Sequence, residues 1–156
     1  MKQFLFSLIA VALVFSVTSC KESENDNEGQ NNPEVTNPYT LVGTLTVDQL
    51  NGSNYVMDSV RIAITPNDTL GTMTMVMYQV RFSSRMPVKL DMTVRNINYV
   101  SNQDGFVLSG DSIVPYAMGG PFAAYTITHL IGTLTDDSLR LSMNCGIYPM
   151  TFKGIR

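Results

Sequence analysis

The strongest constraint on this chain is an alternation of apolar and polar residues with a period of two, recurring from Tyr39 to the end. Leu41, Gly43, Leu45 and Val47 alternate with Thr40, Val42, Thr44 and Thr46. Val56, Val60, Ile62 and Ile64 keep the same period, as do Val88, Leu90, Met92 and Val94, and again Leu139, Leu141, Met143 and Cys145. A period of two places such side chains on one face of a strand, whereas a helical stripe repeats every three to four residues. Turn chemistry separates the runs: Asn51-Gly52, Pro66-Asn67-Asp68, Asp104-Gly105, Gly110-Asp111, Gly119-Gly120-Pro121 and Asp136-Asp137. The pattern predicts strands near 39–48, 55–65, 72–83, 88–96, 105–109, 112–117, 123–135 and 138–145, with a closing strand at 149–155. The fold class is all-β and antiparallel, with eight strands or nine. Short consecutive strands joined by tight turns favour a closed up-and-down barrel over a Greek key with long crossings.

The third run carries a further message. Met73, Met75 and Met77 share one phase, but Val76, Tyr78, Val80 and Phe82 share the other. A switch of apolar face within one strand means a bulge, a sharp twist or burial on both faces. Met73, Met75, Met77, Tyr78, Phe82, Met92 and Tyr125 are the expected lining of the barrel. At eight strands the interior is just wide enough to be filled by side chains or to hold one small ligand. Soft thioethers can bind Cu(I), yet the other methionines are dispersed and the chain has 1 His, so no metal site or cofactor is assigned. Unbranched, adaptable side chains fit a cavity wall for a small hydrophobic ligand, and equally a packed core.

Before Tyr39 the chain reads differently. Lys2 and the apolar run Phe4 to Val17 have the form of a secretory signal, too short for a comfortable membrane span. Val17-Thr18-Ser19-Cys20 resembles the bacterial lipobox. The resemblance implies removal of residues 1–19 and diacylglycerol on Cys20, hence a membrane partner reached through the lipid anchor. Residues 20–38 then form a polar tether rich in Glu and Asn, unable to offset the entropy of ordering. Lys21 followed by acids resembles the surface-export signal of some Gram-negative lipoproteins. It implies display at the cell surface of the outer membrane; retention on the periplasmic face is the alternative.

The folded part, 39–156, also carries a family resemblance. Gly43-Thr44-Leu45-Thr46-Val47, Val80-Arg81-Phe82 with Met86-Pro87, Leu108-Ser109-Gly110 before Ile113-Val114-Pro115, Ile127 to Leu134, Leu139-Arg140-Leu141 and Pro149-Met150-Thr151-Phe152-Lys153-Gly154 together resemble the calycin-like β-barrel lipoproteins of Gram-negative bacteria. The resemblance implies an eight-stranded barrel of lipocalin-like shape with no established activity. Lipocalins proper carry Gly-x-Trp in the first strand; Gly43-Thr44-Leu45 stands there in a chain with 0 Trp, so their ligand contacts do not carry over. Asp58-Ser59-Val60, Asp68-Thr69-Leu70, Asp111-Ser112-Ile113 and Asp137-Ser138-Leu139 resemble the acceptor sites of a Gram-negative periplasmic O-glycosylation system. That resemblance implies glycans on Ser59, Thr69, Ser112 and Ser138; the same pattern is also how a turn enters a strand.

Catalysis finds little support in the inventory. The folded part has no Glu, and His129 has no Asp or Ser at a spacing that predicts a dyad. It reads as a barrel histidine, and Cys145, in phase with Leu139, Leu141 and Met143, as a buried apolar thiol. The net charge of −3 divides unevenly: five of the 13 acids and two of the 10 Lys and Arg precede Tyr39, leaving eight of each beyond it. A neutral domain offers no basic footprint for nucleic acid. The sequence therefore predicts a non-enzymatic, lipid-anchored binding module for a small apolar ligand, or a structural component contacting envelope proteins through a filled barrel's outer face.

Overall fold

The computed structural model describes residues 38–156. The expected signal segment, Cys20 and the expected tether up to Asn37 lie outside the described residues. Ten strands follow in order: β1 (Tyr39–Asp48), β2 (Asn54–Asn67), β3 (Thr72–Val80), β4 (Leu90–Asn102), β5 (Gly105–Gly110), β6 (Tyr116–Ala117), β7 (Gly120–Pro121), β8 (Ile127–Leu134), β9 (Ser138–Cys145) and β10 (Tyr148–Ile155). All pairings are antiparallel, and the additional β3–β4 pairing closes eight of them into the ring β1-β2-β3-β4-β5-β8-β9-β10. With β6 and β7 set aside, every neighbour in the ring is also next along the chain, except the β1–β10 pair that joins first strand to last. This is the closed up-and-down barrel that the alternation predicts.

The expected strand at 112–117 is not a ring strand. Pro115 cannot donate to a ladder, and the segment reduces to one bridge, Ile113 with Ile127, and the two-residue β6, which pairs with Thr93 of β4. Residues 123–126 also differ from expectation, since Ala123–Tyr125 form a 3-10 turn and β8 begins only at Ile127.

Four non-glycine residues in left-handed backbone conformation set the phase of the ring. Ser59, Gln79, Asn96 and His129 have φ of 59, 54, 59 and 52°, and each lies where the register slips by one residue, in β2, β3, β4 and β8. One extra residue moves the inward face from one parity to the other. In β3 this produces the switch legible in sequence: Met73, Met75 and Met77 are buried, then Val80 and, beyond the strand, Phe82. It also corrects three assignments. Tyr78 precedes the slip, so it stands on the outer wall with the Arg61 guanidinium 3.9 Å above its ring. Val56 precedes the slip in β2 and is 51% exposed, while Val88 lies ahead of β4 and is likewise exposed. His129 is the bulge residue itself, exposed on the outside and not a barrel histidine.

Left-handed backbone is costly for residues with a Cβ, and carboxylates offset that cost here. Asp91 Oδ1 accepts both the backbone N–H and the side-chain amide of Gln79, each at 2.9 Å. Asp111 Oδ1 accepts the backbone N–H of His129 at 2.9 Å, and its Oδ2 accepts the Ser112 hydroxyl at 3.1 Å. The His129 N–H first, then the Ser112 hydroxyl, hold the Asp111 carboxyl below the usual carboxylate range. A pKa lowered by folding contributes stability above the unfolded value and loses it as pH falls through the lowered one. In acid unfolding, Asp111→Asn should therefore flatten the loss of stability below the ordinary carboxylate pKa. An unchanged pH profile would show that this hydrogen bond carries no linkage.

The interior is apolar throughout. Among the described residues no polar or charged residue is buried, and the core comprises side chains from all eight ring strands. Arg61, Arg95, Arg140 and Lys153 are all exposed on ring strands. An apolar inside and a polar outside reverse the pattern of a water-filled membrane barrel. At the β1–β10 seam Gly43 pairs with Gly154, and a Cβ on Gly43 would collide with the Lys153 carbonyl and the Gly154 Cα. The strands meet there backbone to backbone.

Candidate functional site

Of the expected lining residues, Met73, Met75, Met77 and Met92 have 0% of their surface accessible and Phe82 has 1%. The register brings them together: Met77 faces Met92, and Met75 faces Ile64 on one side and Val94 on the other. Met143 pairs with Met150 on the β9–β10 side, and both are buried. A void as large as a water molecule would leave accessible surface on the side chains around it. The four methionines touch none.

Aromatic rings cover both ends. At the end of the tight turns, Phe106 meets Tyr39 at 6.1 Å and Tyr99 at 5.4 Å, both edge to face; the Tyr99 hydroxyl donates to Asp68 Oδ1 at 2.8 Å. At the end of the longer connections, Tyr125 stacks between Phe82, 4.8 Å away, and Phe122, 4.7 Å away. Tyr125 is thus a half-buried cap carried by the 3-10 turn, not a wall residue. The Nε of Arg81, the residue preceding Phe82, is buried without a hydrogen-bond partner.

Cys145 lies under this cap, its Sγ donating to the Tyr125 carbonyl at 3.6 Å. Burial pushes the thiol up to about 12, so almost no thiolate exists at neutral pH. Native protein at pH 8 should leave Cys145 unmodified by a disulfide reagent, with labelling at the rate of global unfolding. Rapid labelling of the folded protein would show that the cap opens locally.

The chemistry-bearing residues do not converge. The His129 ring Nδ1 faces the Asn144 amide at 3.4 Å, while the Asp111 carboxylate is engaged with the His129 backbone. Among the described residues no group of three or more His, Cys, Asp or Glu could hold a metal ion. The four Asp-Ser/Thr pairs each take a structural place. Ser59 is a bulge residue and Ser112 also has positive φ; Thr69 sits in the exposed turn after Asp68, and Ser138 exchanges hydrogen bonds with Thr135 across the β8–β9 turn. Ser59, Thr69 and Ser112 are exposed, and Ser138 is half-buried.

The outer wall carries a groove of about 530 Å³ crossing β5, β8, β9 and β10. Its floor is the backbone of the inward row Leu108–Gly132–Leu141–Phe152. One flank is the row Val107–Thr133–Arg140–Lys153, the other Ser109–Ile131–Ser142–Thr151. Val107 and Ile131 are 43% and 63% exposed. A second groove of about 240 Å³ lies on the far side of Arg140 and Lys153, toward Val42 and Ile155. Sequence reasoning missed this site because its residues share a face only through cross-strand register; the outward phase of Arg140 opposite Leu139 and Leu141 was the one available signal.

The fold and its surfaces define a closed, apolar-cored antiparallel β-barrel. Comparison with family models, with curated proteins and with solved structures yields no match.

Proposed function

We propose that this chain is a non-enzymatic lipoprotein of the calycin-like kind, anchored through Cys20 to the outer membrane on the cell-surface side. Its barrel serves as a filled scaffold and its outer wall as the contact surface. The observation that carries the reading is the complete burial of Met73, Met75, Met77 and Met92 beneath aromatic rings at both ends. The separation of a polar leader from a neutral domain supports the anchor: all four Glu precede Tyr39. Two measurements test it. Intact mass of the native protein should show loss of residues 1–19, a diacylglyceryl modification on Cys20, and any glycan on Ser59, Thr69, Ser112 or Ser138; Cys20→Ser should release the protein from membranes. Native mass spectrometry and hydrophobic dyes should find the barrel empty of lipid, and dye binding within the core would overturn the filled scaffold.

A second reading has one observation in its favour. The Nε of Arg81, one residue before Phe82 of the cap, is buried without a partner; the acceptor group of an otherwise apolar ligand would dock there, its body displacing adaptable methionines inside. Arg81→Met distinguishes the readings. It should leave the filled barrel as stable or more so, and it should abolish binding of an internal ligand.

A further inference from the structure

We infer that the groove across β5, β8, β9 and β10 is a binding site for a free single-chain amphiphile with an anionic head. The inference rests on the filled-barrel reading, because it places the ligand on the wall and leaves the core intact. Three features lead to it.

The first is charge. Arg140 and Lys153 stand directly opposite one another on β9 and β10, and like charges so placed repel. Arg61, Arg95 and Arg156 each lie over an aromatic ring. Arg140 and Lys153 have neither ring nor carboxylate as partner among the described residues. An anion between them relieves the repulsion with charge-assisted hydrogen bonds from both. The second is polarity along the groove: the cations occupy the β9–β10 end, and exposed Val107 and Ile131 the β5–β8 end. The flanking rows lie two residues apart along the strands, about 7 Å, which is room for one alkyl chain, and about 530 Å³ falls within the usual size of ligand sites. The third is backbone chemistry. All four strands are paired on both sides, so no free N–H or C=O row remains to hold a peptide strand. An alkyl chain asks for none.

The test uses the chain from residue 20 onward, kept soluble by Cys20→Ser, with dodecanoate below its micelle concentration and dodecanol as the uncharged control. Dodecanoate should bind saturably, dodecanol at least about tenfold more weakly, and Arg140→Gln with Lys153→Gln should cost about tenfold in affinity with a thermal midpoint equal to or above the parent's. Amide shifts should centre on Val107, Ile131 and Arg140. Equal binding of dodecanol, or indifference to the double substitution, overturns the assignment of the head. Absence of saturable binding overturns the site while leaving the filled barrel standing. Shifts centred on the methyls of Met75 and Met92 overturn both, since the ligand would then be inside.

Discussion

Gly43→Ala should destabilise the barrel by about 3 kcal/mol, the upper part of the overpacking range, and Gly43→Val should prevent closure. The reason lies in what the new methyl would meet. At most core positions an extra carbon displaces a side chain that can rotate away; at Gly43 it meets the Lys153 carbonyl and the Gly154 Cα of β10. These atoms belong to the ladder that closes the ring, with Gly43 facing Gly154. Moving them breaks the pairing, and Phe152, folded over Gly154, occupies the space into which the seam could relax. Gly120 is the control, because a Cβ there meets nothing; Gly120→Ala should stay within about 0.5 kcal/mol of the parent. Urea midpoints at constant slope measure both. Similar midpoints for the two variants would sink the account of the seam.

Met75 supplies the second large effect. Met75→Ala should lose about 2–5 kcal/mol through the cavity it leaves, and Met75→Phe about 1–3 kcal/mol through overpacking, whereas Met75→Leu should remain within about 1.5 kcal/mol. The pattern matters more than any one value. A side chain with 0% accessible surface between Ile64 and Val94 has no room for a ring. A barrel with a hidden cavity would accept phenylalanine at no cost, or gain from it. Thermal unfolding of the three variants decides, and a stabilising Met75→Phe would revive the internal-ligand reading.

The strands were legible because nearly every ring strand carries its own period-two signature. The phase within them was not. Glycine advertises left-handed backbone; Ser59 and Gln79 do not, and Asn96 and His129, though of types enriched there, are far weaker signals than glycine. In β3 the bulge showed itself because apolar residues occur on both sides of it. Tyr78 nevertheless misled, being in phase with Val80 on paper while the extra residue intervenes between them. In β8 the same error made His129 a barrel residue, because Ile127 and Ile131 share a parity but Ile131 is 63% exposed. Pro115 was the overlooked signal against a full strand at 112–117. The outer groove was hidden for a different reason: Arg140 and Lys153 meet only when the β9–β10 register is fixed, and register is not written in either strand alone.

Ring closure has a consequence for behaviour in a crowd. An open sheet ends in two strands with free hydrogen-bonding rows, templates on which other copies can polymerise. Here the only terminal strand of the described sheet is β7, two residues long. Its second residue is Pro121, which has no N–H to offer a newcomer. Copies packed at high density therefore have no strand on which to build a fibre, and aggregation requires first prising the ring open.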